Sequence, residues 1–515
     1  MSNNTDTQFS KIRSIFFPIH AHELQKLLPM LVILFLICFN YSILRPMKDT
    51  IIVSTSGAET IPFIKVWVLL PMAFLFTYIF TQLTSRYSQE RVFYMLISSY
   101  LGYFLLFAFV IYPNYESFQL TSLAEWGSLY LPMGCGGLLS MLCHWSLTLF
   151  YVIAELWGSI VLTVLFWGIA NDVTKIGEAR RFYTVLTIGA NIAAICAGVV
   201  ANMFSQGKVY NPNIPFGSNG WEQTVMLLML LITACGIISM VLFWWLNRKV
   251  LDKEEFAVIH TAGNGKFKTK KKRLSLRSSF RYLYKSNYLM CIAVIVIAYN
   301  LTINMVEIIW KNELRLLYPA HSDYNEFMNT LTMYMGIAST LTAVFMGQMI
   351  KRFGWTKTAL ITPVIMLITS GGFFSFLLLQ DNLSGISMSL FAATPLQMVV
   401  FFGACQNCFS KAAKYSVFDA TKEMAFIPLD HESKLRGKAA IDGVGSRFGK
   451  SGGSLIHQGL LLTFGTLGAS SPAVASIITI VIFMWIYSTR TLGRQFHSLV
   501  SSQSSKEEKE DVAWA

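Results

Sequence analysis

The sequence predicts an all-α integral membrane protein with twelve transmembrane helices in two six-helix halves. Composition, segment length and one central interruption carry this. Of 515 residues, 54% are hydrophobic and only 13% charged, with a mean hydropathy of +0.50, too little polar surface for a soluble chain of this size. Apolar stretches of roughly 20 residues recur throughout, long enough to cross a hydrocarbon core of about 30 Å. They are continuous rather than alternating, as expected of helices that satisfy their own backbone groups and not of a β-barrel. The longest polar stretch, 247–285, falls midway.

In chain order, residues 1–26 form a cytoplasmic segment carrying Lys11 and Arg13 ahead of the first apolar run. No small-residue cleavage site follows that run, so the first span is expected to be retained rather than removed as a signal peptide. No Ser/Arg-rich transit segment precedes it, which points to a bacterial inner membrane. The first half, 27–246, holds spans near 27–45, 61–82, 92–112, 142–170, 181–203 and 222–246. The linker, 247–285, carries Lys266, Lys268 and the run Lys270, Lys271, Lys272, Arg273. The second half, 286–490, holds spans near 286–309, 328–350, 357–379, 394–412, 438–465 and 471–489, and 491–515 forms a cytoplasmic tail.

Basic residues orient this layout. With the amino terminus cytoplasmic, the inner loops hold Arg86 and Arg91; Lys175, Arg180 and Arg181; Lys351, Arg352 and Lys357; and Lys411, Lys414, Lys422, Lys434, Arg436 and Lys438. The outer loops 113–137 and 380–394 contain no Lys or Arg. Arg45, Lys48, Lys311 and Arg315 are exceptions. The net charge of +13 therefore describes loops facing anionic lipid, and no aromatic platform or soluble domain suggests nucleic-acid binding. The eight cysteines sit mostly in apolar runs and read as small buried hydrophobes. Cys405 and Cys408 make a C-x-x-C inside a span without partner ligands, so no metal or other cofactor is expected.

Thr81–Arg91 and Gly347–Lys357 each join the second and third spans of their half through a short basic turn. Two parallel halves with such turns suggest the major-facilitator architecture, whose substrate site lies at the midplane between halves.

Charge within the spans locates that site. An ion at a helix centre costs about 2.5–3.5 kcal/mol even on a lenient scale. Glu155, Glu307 and Lys450 bear that cost, and Lys65 sits one turn into its span after Pro62. His144, Thr148, Tyr151 and Glu155 are spaced 4, 3, 4 and share one helix face. Asn300, Asn304, Glu307 and Lys311 form a second stripe; Asp442, Ser446, Lys450 and His457 form a third, with Arg447 adjacent. Such stripes face helix partners or an aqueous cavity. For the Asn, Thr and Ser members, interhelical pairing and a lumenal role are both open. Lys65 admits snorkelling or a cavity role, and His144 reads better as packing than as a proton relay. Lysines in a cavity suit an anionic substrate, with Arg45, Lys48, Lys65, Lys311, Arg447 and Lys450 available to a tetravalent nucleotide. Carboxylates beside them suit proton coupling or control of lysine charge.

Gly449-Lys450-Ser451 imitates the end of a phosphate-binding loop, but position 444 is Val and no strand precedes it. Gly449, Gly452 and Gly453 instead suit close helix contact. The short loops carry no catalytic His or Asp cluster, so the chain is not read as an enzyme.

Phe39-Asn40-Tyr41, Leu44-Arg45, Lys48-Asp49-Thr50 and Ile61–Lys65 resemble the ATP/ADP translocase family of obligate intracellular bacteria and plastids. So do Ala154–Ser159, Phe166-Trp167-Gly168, Ile176–Arg181, Val306-Glu307, Trp310-Lys311, Lys422–Asp430, Gly437–Asp442 and Arg447–Ser454. The resemblance covers about residues 12 to 495 and implies transport of intact nucleotides by a facilitator-like fold. It also implies that Lys65, Glu155, Glu307 and Lys450 bind substrate or couple its movement. Pro46-Met47 and Leu142–Trp145 depart from exchangers of the family, and Ala440–Val444 looks like chlamydial paralogues that import several nucleotides, some driven by protons. ATP/ADP exchange is the working expectation, proton-coupled import of nucleoside triphosphates the alternative, and a facilitator of another phosphorylated anion the second.

Overall fold

In a computed structural model, the described residues are 23–174, 176–205, 209–251, 286–429, 433–434, 437–438, 441 and 446–514. They are almost wholly helical and include no strand. The basic run of the linker, Lys266–Arg273, lies outside them. Before the linker come α1 (Leu24–Ser56), α2 (Thr60–Arg86), α3 (Gln89–Phe118), α4 (Trp145–Asn171), α5 (Ile176–Phe204) and α6 (Gly220–Val250). After it come α7 (Asn287–Leu317), α8 (321–353), α9 (355–378), α10 (Pro395–Ala413), α11 (Ser446–Phe464) and α12 (Leu467–Trp514).

Among the described residues, nine helices are long and apolar enough to cross a membrane. The expected spans 328–350, 394–412 and 438–465 are not among them. They overlap α8, α10 and α11, whose apolar runs are broken by polar residues such as Asn329, Gln406 and Lys450. Apolar length alone therefore does not give a count of twelve.

Two helices run further than hydropathy suggests. α1 has 33 residues and continues to Ser56, and α7 has 31 and continues to Leu317, whereas apolar character stops near 45 and 309. This accounts for the exceptions to the loop-charge pattern: Arg45, Lys48 and Lys311 are not loop residues but lie inside the bundle.

α1 packs against α4, α5 and α6 of its own half and against α8 of the other, while α7 packs against α10, α11 and α12. Polar tips of buried side chains fix these contacts by bonding backbone carbonyls of neighbouring helices. Asn40 Nδ2 donates to the Ile232 carbonyl at 3.0 Å, Trp157 Nε1 to that of Ile37 at 3.1 Å, and Trp310 Nε1 to that of Val400 at 3.0 Å. Two of the three expected small contacts on α11 are real. A Cβ on Gly449 would lie 2.7 Å from Asn300 Cβ and one on Gly453 3.4 Å from Asn304 Cβ, but Gly452 meets nothing.

The halves are joined at the end of the bundle where α1 finishes. There Gln458 Nε2 donates to the Pro62 carbonyl at 2.9 Å, Trp67 Nε1 donates to Gln458 Oε1 at 3.2 Å, and Asn202 Nδ2 donates to Thr330 Oγ1 at 2.9 Å. Toward the other end α2 packs less deeply: Leu70–Arg86 contains no fully buried residue, although Phe76 meets the Tyr100 ring with centroids 6.3 Å apart. The bundle is thus shut at one end, and α2 is only partly buried toward the other.

α8 and α9 would be one rod but for Gly354, at φ 76°, ψ 170°, a region essentially reserved for glycine. A Cβ there would touch nothing, so Gly354→Ala isolates backbone strain. It should lower the unfolding free energy by about 1–3 kcal/mol, seen as a lower melting temperature in detergent.

Candidate substrate-binding site

The charges singled out by their cost come together where α1, α4, α7 and α10 meet. Asp49 and Lys48 lie on the part of α1 beyond Pro46, which cannot donate the helical hydrogen bond to Ser42. Lys48 Nζ lies 2.9 Å from Asp49 Oδ1, 3.1 Å from Glu155 Oε2 on α4, and 3.9 Å from the centroid of the Tyr151 ring. Lys311 Nζ on α7 lies 2.9 Å from the other Asp49 oxygen and 3.4 Å from Glu307 Oε1 one turn back. Glu307 also takes a hydrogen bond from Lys411 Nζ of α10 at 3.1 Å and has Arg45 at 3.9 Å. Lys65 turns inward, donating to Asn304 Oδ1 on α7 at 2.8 Å within electrostatic reach of Glu307 and Glu155.

Among the described residues, five cations (Arg45, Lys48, Lys65, Lys311, Lys411) thus surround three carboxylates (Asp49, Glu155, Glu307), a surplus of two positive charges. Desolvating an ion costs several kcal/mol, which only close partners offset. Lys48, Asp49 and Lys311 are each about 3% exposed or less and have such partners. π-helical turns accompany several of these groups. Lys65 lies within Ile64–Leu69, Glu155 just before Trp157–Phe166, and Lys411 just before Lys414–Phe418. The extra residue in such a turn re-aims side chains, and these turns are frequent at functional sites.

The stripes divide on inspection. Tyr151 and Glu155 join the cluster, but the helix breaks at His144 (φ −98°, ψ 47°), so His144 is not part of the α4 face. Its Nδ1 lies 3.1 Å from Ser56 Oγ and from the Ser140 carbonyl, a packing role. Thr148 likewise bonds a local carbonyl, that of Met141. Asn300 bonds the Val296 carbonyl, whereas Asn304 serves both the Asn300 carbonyl and Lys65. Lys450, Ser446 and Arg447 fall on α11 with side chains outside the described set, and Asp442 lies outside the described residues.

Two residues escaped the sequence reading. Lys411 was assigned to an inner loop, yet it ends α10 with its ammonium on Glu307. Its signal was the polar face it shares with Asn407, four residues earlier. Asp49 was quoted only within a motif; its signal was its place beside Lys48 once α1 is allowed to continue past 45.

Residues 2–496 match the family model described as "TLC ATP/ADP transporter". The chain belongs to the TLC ATP/ADP transporter family. It is 42% identical over 516 residues to ADP,ATP carrier protein 1 of Chlamydia pneumoniae, covering all of this chain and 99% of that one. It is 38% identical to the chloroplastic ADP,ATP carrier protein 2 of Arabidopsis thaliana, covering 98% of this chain and 80% of that one. Among solved structures, a D-xylose–proton symporter aligns with TM-score 0.54 at 10% identity over 90% of this chain and 98% of that one. A bacterial homologue of the iron transporter ferroportin aligns at 0.52 and 14% over 93% and 100%. At such identities the likeness concerns the fold, which is major-facilitator-like. This TLC family member is a multi-pass membrane protein.

Proposed function

We propose that the chain is a secondary carrier of a bacterial inner membrane, with both termini cytoplasmic, that imports host nucleotides by exchanging ATP for ADP. One observation carries this: the buried cluster with surplus positive charge lies between the two halves, where an anion can be held alternately from either side. Relatives named as ADP,ATP carriers over the full chain favour adenine nucleotides as that anion. In this reading Lys65 and Lys450 neutralise phosphates, and Glu155 and Glu307 set the charge of the lysines around them. Closure at one end and the lack of fully buried residues along Leu70–Arg86 fit a carrier open toward the cytoplasm.

Uptake of labelled ATP by intact bacteria expressing the chain tests the reading, and absence of uptake refutes it. Efflux of preloaded label only when nucleotide is present outside, indifferent to an uncoupler, identifies exchange. Lys450→Ala should cut uptake roughly ten- to a hundredfold, the worth of a charge-assisted contact of about 1.5–3 kcal/mol; unchanged uptake removes Lys450 from the phosphate site.

Proton-coupled import of nucleoside triphosphates is the second reading. Glu155 favours it, because at 32% exposure it is the carboxylate of the cluster most open to water. Collapse of uptake on adding an uncoupler, lost in Glu155→Gln, would select it.

A further inference from the structure

Asp49 is placed unlike the other carboxylates of the cluster. Each of its oxygens holds a lysine at 2.9 Å, Lys48 from its own half and Lys311 from the other. The neighbouring Thr50, whose hydroxyl donates to the Pro46 carbonyl at 2.9 Å, also reaches across, its Oγ1 lying 3.3 Å from the Asn325 side-chain amide. Beside this bridge stands a donor with nothing to bond, the hydroxyl of buried Tyr324, within electrostatic reach of Asp49 and Lys48. Two lysines from opposite halves, with an unspent hydroxyl donor next to them, make a setting for a tetrahedral dianion. A carboxylate fills it incompletely.

We infer that Lys48 and Lys311 form a phosphate subsite in which Asp49 acts as an internal stand-in, latching the halves together until a phosphate group of the substrate displaces it. A phosphate brings more negative charge and more acceptor oxygens to the two lysines than a carboxylate does. Once it is seated, Asp49 loses Lys311 and becomes a like charge beside the phosphate, so the direct carboxylate contact between α1 and α7 is broken. Opening of the shut end is then conditional on bound polyphosphate, which is what separates an exchanger from a leak. Asp49 is a positioning residue in this account, acting through Lys48 and Lys311. The inference rests on the nucleotide reading for the identity of the anion, but not for the latch.

The shut end supplies a reporter. Asn202→Cys with Thr330→Cys places two thiols where a 2.9 Å hydrogen bond now spans α5 and α8. Oxidative cross-linking, scored as halves that stay joined after cleavage at a protease site inserted within the linker, measures the shut population. The single variant Asn202→Cys serves as control. Without ligand the double-cysteine protein should cross-link readily, and ATP or inorganic triphosphate should slow it about tenfold. Adding Asp49→Asn should slow cross-linking about tenfold without ligand and leave ATP little further effect, whereas Asp49→Glu, which keeps the charge, should behave as native.

Native-like cross-linking in Asp49→Asn overturns the latch. So does a native protein that ignores both ATP and triphosphate. If triphosphate slows the native protein and ATP does not, the latch and its phosphate subsite stand while the nucleotide reading fails. Should Asp49→Asn not fold, the native protein's response to triphosphate, and its persistence in Asp49→Glu, still decide.

Discussion

Replacing Glu307 with alanine should abolish nucleotide uptake and lower the unfolding free energy of the solubilised protein by about 3–5 kcal/mol, the cost of breaking a buried ion pair from one side. The size follows from how many charges lean on one group. Lys411, Lys311 and Arg45 lie 3.1, 3.4 and 3.9 Å from the same carboxylate oxygen. Removing it takes from Lys411 its hydrogen-bonded carboxylate and sets Arg45 and Lys311 beside it with less opposing charge, Lys311 keeping Asp49. Because the loss is mostly that of stranded charge, Glu307→Ala with Lys411→Ala should recover part of the stability, a non-additive pattern that unrelated sites do not show. Uptake should not recover with it, since the anion-holding surplus is then depleted. Thermal unfolding in detergent and labelled-ATP uptake read the two quantities separately. Uptake within twofold of native in Glu307→Ala would remove Glu307 from the transport machinery.

Gly198→Val should stop transport by a different route, leaving a folded protein. A Cβ at Gly198 would lie 2.5 Å from the Asn329 carbonyl oxygen and 2.8 Å from Met333 Cβ. The nearest obstacle is backbone and cannot rotate away. Facing it, a Cβ at Gly336 on α8 would lie 2.9 Å from the Asn191 carbonyl oxygen. α5 and α8 therefore approach at glycine from both sides in this state, with this end shut. The added methyls penalise that state by about 1–3 kcal/mol, a shift of roughly 5- to 150-fold in a two-state balance. Uptake should fall accordingly. A cysteine at position 202 should become more reactive to an impermeant maleimide, and nucleotide should still raise the melting temperature. Full uptake in Gly198→Val would show that the α5–α8 contact is not part of the cycle.

Much of this was legible in the sequence, for one physical reason. Lipid penalises charge so heavily that Glu155 and Glu307 announce themselves as ions with partners. The same rule misled at the helix ends. A hydropathy profile ends a span at its first charges, so α1 was cut at Arg45 and α7 before Lys311, although the ions are stabilised by one another and the helices run on. Asp49 and Lys411 were lost for this reason, each mistaken for the edge of a span. Periodicity failed at His144, where a break in the helix removes the face that regular spacing assumes, while Thr148, on the regular helix, spends its hydroxyl on the Met141 carbonyl. The π-helical turns around Lys65 and after Glu155 shift the face again, and no spacing rule for a regular helix anticipates them. Lys65 itself could not be decided from its place in the chain, because its partner Asn304 lies on the far half.

The burial of Lys48, Asp49 and Lys311 has a consequence for the environment in which such a carrier works. Mobile salt weakens exposed charges beyond a Debye length of about 8–10 Å at physiological ionic strength, but it screens buried pairs far less. Drifts in salt concentration therefore leave the balance among Lys48, Asp49 and Lys311 largely untouched. What can change it is an anion that enters the bundle and touches the lysines directly. Depth thus makes the site deaf to ionic strength and responsive to a ligand.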